Sequence, residues 1–120
     1  MANREIGEVE ITIGAQAYLL RPTFSALAEI EDKADKSLMD LAQQMGAGKI
    51  KFKDVVAIVY GGILGATPDG AKMPFSYNEL GNMIAESGYL KLPGPVTMFF
   101  LNAIKGREGK KEEPQVPVPA

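Results

Sequence analysis

Phe52-Lys53-Asp54-Val55-Val56-Ala57-Ile58-Val59-Tyr60-Gly61-Gly62-Ile63-Leu64 is the stretch on which the fold turns. The run Val55-Val56-Ala57-Ile58-Val59 is β-branched at every position but Ala57, a composition that suits a buried strand as well as a helix. Length decides between them. A buried strand ends after about 4–8 residues, whereas this apolar pattern continues from Phe52 to Leu64 between segments that are themselves helical in period. Phe52, Val55, Val56, Ile58, Val59, Ile63 and Leu64 surround most of the circumference, which predicts the central helix of the core. Gly61-Gly62 costs roughly 1 kcal/mol per glycine relative to alanine, so it calls for a reason such as close helix–helix approach or a bend.

Working upstream, Gly46-Ala47-Gly48 closes a shorter helix that begins at Ser37. There Ser37-Leu38-Met39-Asp40 resembles a capping box with Asp in place of Glu, and Leu38, Leu41, Ala42 and Met45 form an apolar stripe. Before it, Pro22 stops a strand and Thr23 is placed to cap a helix running to about Ala34. Leu27, Ile30 and Ala34 are its inner positions, with Phe24 on a neighbouring stripe. The chain opens with Glu8-Val9-Glu10-Ile11-Thr12-Ile13, which alternates with period two. Gly14-Ala15 follows, and glycine first in a two-residue loop predicts a type II′ turn. That register pairs Ile13 with Gln16, Ile11 with Tyr18 and Val9 with Leu20, and collects the apolar side chains on one face. A lone hairpin is marginal in water, so that face must cover the helices.

Downstream, Pro68-Asp69-Gly70 marks a turn, and Phe75-Ser76-Tyr77-Asn78-Glu79-Leu80 starts a further helix. Ser76 is its N-cap, Glu79 completes a capping box and Phe75 can staple onto Leu80. Leu80, Met83 and Ile84 face inward, and Gly88 ends the helix. A fifth helix runs from near Pro93 or Pro95 to Lys105, with Val96, Phe99, Phe100 and Ile104 along it. Beyond Gly106 the sequence REGKKEEPQVPVPA has no core-forming pattern and reads as a disordered, Pro-rich tail. The predicted class is therefore α+β, mainly α. An N-terminal hairpin packs on a small bundle of about five helices over residues 1–106, and a tail occupies 107–120.

The 120 residues include no His, no Cys and no Trp. That removes disulfides, thiol nucleophiles, thiolate zinc sites, imidazole acid–base chemistry and every His-dependent triad. Thirteen Lys and Arg against fifteen Asp and Glu leave a formal charge of −2, which argues against a nucleic-acid partner. No apolar run is long enough for a membrane span, and MANREIGEVE lacks the apolar region of a signal peptide, so the expectation is a cytoplasmic protein made without export. Glu29, Glu31, Asp32 and Asp35 cluster without the alternating ligands and central glycine of a calcium loop. Neither Gly46-Ala47-Gly48-Lys49 nor Gly61-Gly62-Ile63-Leu64-Gly65 fits a phosphate loop. The reading is of a non-enzyme without cofactor or metal. What remains is surface for another protein. Six Met and the adjacent Phe99 and Phe100 suggest it, since neighbours on a helix point about 100° apart and one of the pair can stay near the surface, although core packing is the default for both.

Leu20-Arg21-Pro22-Thr23-Phe24-Ser25-Ala26-Leu27-Ala28-Glu29-Ile30-Glu31 resembles the opening of the small tail assembly chaperones of long-tailed phages, and more narrowly of the gene transfer agent tail-protein family. Ser37-Leu38, Lys53-Asp54-Val55 and Tyr60-Gly61-Gly62-Ile63-Leu64 match in order and spacing, and the resemblance extends from about Glu8 to Gly106. It implies a non-enzymatic protein that binds the tape measure protein, or other tail proteins, during tail morphogenesis and then departs. The alternative is a tail tube or connector protein retained in the particle, and a homo-oligomer fits either role. Arg21, Thr23, Glu29 and Glu31 match the family pattern, although capping and helix-surface ion pairs account for them equally. Arg21, Phe24, Glu29, Glu31, Phe99 and Phe100 are the candidate partner-contact residues.

Overall fold

The computed structural model describes residues 6–106, so the tail predicted for 107–120 lies outside the described residues. β1 (Val9–Ile13) and β2 (Gln16–Leu20) form an antiparallel pair in which Val9 faces Leu20, Ile11 faces Tyr18 and Ile13 faces Gln16. The loop is Gly14-Ala15. Gly14 has φ +64°, while Asp35 is the only non-glycine of positive φ among the described residues. Positive φ at the first loop position alone is the II′ arrangement. Ile11, Ile13 and Leu20 are buried by the face that the alternation assigns to the core.

Five helices follow: α1 (Phe24–Ala34), α2 (Leu38–Gly46), α3 (Phe52–Ala66), α4 (Tyr77–Ser87) and α5 (Pro93–Lys105). Their starts are set by local chemistry. Thr23, Ser37 and Ser76 each accept a hydrogen bond from the backbone N–H three residues on. The Glu79 carboxylate in turn accepts from Ser76 N–H at 2.8 Å and completes the box. Phe75 meets Tyr18 edge to face, with ring centroids 5.6 Å apart, and so ties the entrance of α4 to the hairpin. The segment that could have been a strand is helical throughout. It runs two residues past the expected Leu64, to where Thr67 turns back and donates its hydroxyl to the Ile63 carbonyl at 2.7 Å.

α3 is the hub, touching α1, β2, α4 and α5, and every residue from Asp54 to Val59 is buried. Its glycines explain the closest contact. A Cβ at Gly61 would stand 2.5 Å from Ile30 Cγ1 and 2.7 Å from the Ala26 carbonyl oxygen, and one at Gly65 would overlap the Arg21 carbonyl oxygen. The bare backbone lets α1 and the β2–α1 connection lie directly on α3, where Arg21 N–H also bonds the Gly62 carbonyl at 2.9 Å. This close approach rotates α1 slightly from its expected setting. Ala26, Ile30 and Ala34 form the buried line, Leu27 is half-buried, and Phe24 points out. One apolar cluster joins the hairpin, α1 to α5 and Leu92.

Candidate functional site

The six candidate contact residues fall into three environments. Phe99 and Phe100 are both fully buried, in keeping with core packing as the default for the pair, and this corrects their place among the partner-contact residues. The cause is the position of α5, which packs on β1 and α3 and also on α2, so that both directions 100° apart lead into protein. Neither ring can contact a partner in this conformation. Phe24 is the opposite case, 87% exposed at the first position of α1. Seven residues on, Glu31 returns to almost the same stripe, with exposed Ala28 between them.

Glu29 and Glu31 have duties inside the fold. Glu29 pairs with Lys33 one turn later at 3.3 Å, and the Lys33 ammonium sits 5.7 Å over the Tyr60 ring. The hydrogen bond that Lys33 donates to Glu29 is the first cause of the upward shift in the Lys33 pKa. The Glu31 carboxylate accepts from Leu38 N–H at 3.0 Å, which closes a free donor at the start of α2. Arg21 is exposed and contributes its backbone to the α3 contact. The structure thus brings Arg21, Phe24 and Glu31 to the outer side of α1 and its approach, and places Phe99 and Phe100 in the interior.

Sequence reasoning passed over an ionic cluster at the start of α3. Asp54 is the one buried charged residue among those described. Lys36 reaches it at 2.9 Å and Lys53 at 3.3 Å, while the Tyr77 hydroxyl donates to the Lys53 carbonyl at 2.9 Å. The bond to Asp54 is the main cause that raises the Lys36 pKa, and burial raises that of Tyr77. An acidic residue in a first helical turn is ordinary, so only the burial reveals the cluster. Its geometry serves to lock α3 to the α1–α2 connection and to α4. No group of three or more acidic residues that could hold a metal ion comes together among the described residues.

Two grooves open on the surface. One, of about 470 Å³, lies between α3 and α4 and is lined by Phe52, Lys53, Val56, Tyr77 and Asn82. The other, of about 530 Å³, runs between β1 and the α4–α5 connection, where Glu10, Thr12, Tyr89, Leu90, Leu92 and Pro95 line it. Leu90 is 92% exposed at this groove, while the neighbouring Tyr89 ring packs edge to face on Phe52 at 5.0 Å. Leu90 was invisible in the sequence because the Gly88–Leu92 stretch has no period that assigns it a face. Phe24, Met39, Leu90 and Met98 are large apolar side chains that face solvent.

A family model described as phage tail tube protein, GTA-gp10, matches residues 6–88. The chain belongs to this family. The match takes in the hairpin and α1 to α4, a shorter span than the resemblance to Gly106, and stops at the C-cap of α4. In this family member α5 lies beyond the matched span yet supplies Val96, Phe99 and Phe100 to the same core. The assignment carries a tail-associated role. No curated protein and no solved structure matches the chain. No helix among the described residues is long and apolar enough to cross a membrane.

Proposed function

We propose that this protein is a non-catalytic structural component of a phage-like tail, in the tube or at its connector, and acts through contacts with other tail proteins. The observation that carries the reading is the tail tube family match over residues 6–88. The use of its carboxylates supports the non-catalytic part. Glu29, Glu31, Asp54 and Glu79 serve an ion pair, a helix start, a buried cluster and a capping box respectively. As a tail component the protein is made in the host cytoplasm and ends in the particle.

A second reading, the assembly chaperone that covers the tape measure protein and leaves, draws on Met39 and Met98. Both are exposed, and flexible thioether side chains adapt to varied apolar partners. Quantitative mass spectrometry of purified particles separates the two. A structural component is present at a fixed ratio to the other tail proteins. Absence from particles, together with co-purification of a long tail protein from lysates before assembly, overturns the structural reading in favour of the chaperone.

A further inference from the structure

The groove between α3 and α4 is bounded by two helical stripes. Tyr77, Gly81 and Ala85 recur every four residues on α4, and Phe52 and Val56 do so on α3. Its floor is open at Gly81, where an added Cβ would meet Val56 Cγ1 at 3.8 Å and nothing nearer among the described residues. Tyr77 to Ala85 spans about 12 Å along the helix, the length of about two turns of an added helix. Lys53 is the one charged residue that lines the groove, and Lys49 and Lys51 stand exposed just before α3. The groove is thus apolar along its length and basic where α3 begins. An amphipathic helix with an apolar anchor and acidic side chains complements such a surface.

The chain carries a helix of that kind. Phe24, Ala28, Glu31 and Asp35 stand at i, i+4, i+7 and i+11 along α1 and its C-cap, and all four are exposed. Asp32 adds a carboxylate whose side chain is 74% exposed. The stripe offers a ring at one end, a small residue in the middle and carboxylates at the other end. From Phe24 to Glu31 it measures about 10 Å, which fits the groove. It does not serve its own molecule in this way. Ala26, Ile30 and Ala34 hold α1 on α3, which leaves Phe24 and Glu31 turned away from that helix.

We propose that the outer stripe of α1 docks in the α3–α4 groove of a second copy of this chain. Phe24 sits over the opening at Gly81, and Glu31 and Asp35 meet Lys51 and Lys53. The two faces differ, so the contact is head to tail. Each pair of copies still offers one stripe and one groove, and the assembly extends to a ring or an open chain. The contact is one helix wide, small beside the roughly 800 Å² per partner of a standard interface, so the association is weak and leans on charge. The inference rests on the two faces alone and does not depend on the role in the tail.

Sedimentation velocity of the purified full chain, from about 10 μM to about 1 mM, tests it. The expected result is species larger than a dimer that grow with concentration and recede in about 0.5 M salt. Phe24→Ser removes the anchor, and Ala85→Glu fills the groove at an exposed position with a charge that repels Glu31. Either variant alone should self-associate about tenfold more weakly than the parent, or less. Mixed in equal amounts they should form dimers and nothing larger, because the groove of the first accepts the stripe of the second. Those dimers also show that both variants are folded. A parent that remains monomeric throughout the range overturns the proposal, as does a mixture that forms no dimers. A parent that stops at dimers means a symmetric contact and overturns it as well, and so does either variant assembling like the parent. Because no particle is involved, none of these outcomes alters the family reading.

Discussion

Gly61 and Gly81 both lie inside helices, and the space around each sets opposite responses to an added methyl group. At Gly61 the methyl meets Ile30 Cγ1 and, less forgivingly, the Ala26 carbonyl oxygen of the α1 backbone. Gly61→Ala is expected to destabilise by about 1–3 kcal/mol through overpacking, even after the gain in helix propensity. At Gly81 the nearest atom is Val56 Cγ1 at 3.8 Å, an ordinary contact. Gly81→Ala is expected to stabilise by up to about 1 kcal/mol. Thermal melts of the two variants should move in opposite directions, by about 4–8 °C per kcal/mol in a domain of this size. The Asp54 cluster yields a second residue-scale expectation. Lys36 is raised above its ordinary 10.5 by its bond to Asp54, and Tyr77 above 10.0 by burial. In both cases the folded state holds its proton more tightly than the unfolded chain. The contribution is complete below the unfolded value and is lost as pH rises through the folded one. Urea midpoints should therefore hold steady up to about pH 9.5 and fall beyond about pH 10.5, and Lys36→Met should lower the midpoint at neutral pH and flatten the alkaline decline. A midpoint that is unchanged in Lys36→Met at both pH values would remove the cluster from any account of stability. The buried carboxylate was not legible in the sequence, because Lys36 and Asp54 are 18 positions apart and only the packing of α1, α2 and α3 joins them.

Elements are where the sequence was most legible, and the reason is range. A cap acts across three residues and a two-residue hairpin turn across four, so Thr23, Ser37, Ser76 with Glu79, and Gly14-Ala15 could all be read without knowledge of the fold. The same holds for the choice of helix over strand at Val55–Val59, which length decides. What local range cannot supply is the identity of the neighbour. Ala26 rather than Leu27 is fully buried because glycines on α3 bring the two backbones together, and that depends on a segment more than thirty positions away. Ser76→Ala tests the local part. It removes the acceptor for Glu79 N–H and disrupts the reciprocal bond at the start of α4. The expected loss is about 1 kcal/mol in urea unfolding, with the helical content of the native state kept. A loss below about 0.3 kcal/mol would mean that the contact of Phe75 with Tyr18 alone holds that helix start.

At the scale of the whole molecule, the candidate residues separate by what surrounds them rather than by type. Phe99 and Phe24 are both helical phenylalanines, one sealed between α5 and its neighbours and the other in solvent. Sequence spacing could not distinguish them, since the burial of α5 on both sides is a property of the assembled bundle. The distinction predicts different mutant behaviour. Phe99→Ala opens a cavity and should cost about 3–5 kcal/mol, a large share of the about 5–15 kcal/mol that holds a typical domain. Any assembly defect it causes then follows from lost folded protein, and soluble yield should fall with it. Phe24→Ser and Leu90→Ser remove side chains 87% and 92% exposed, so stability should stay within about 0.5 kcal/mol of the parent. If these apolar groups meet another tail protein, both variants should melt like the parent yet enter particles less efficiently, by about tenfold for a contact worth 1.4 kcal/mol. Mass spectrometry of particles, beside melts of the purified variants, reads both quantities on the same proteins. Unchanged incorporation of both variants would move the partner contact off α1 and the α4–α5 connection. The α3–α4 groove at Phe52 and Tyr77 would then be the next surface to alter, because apolar side chains line an open groove there as well.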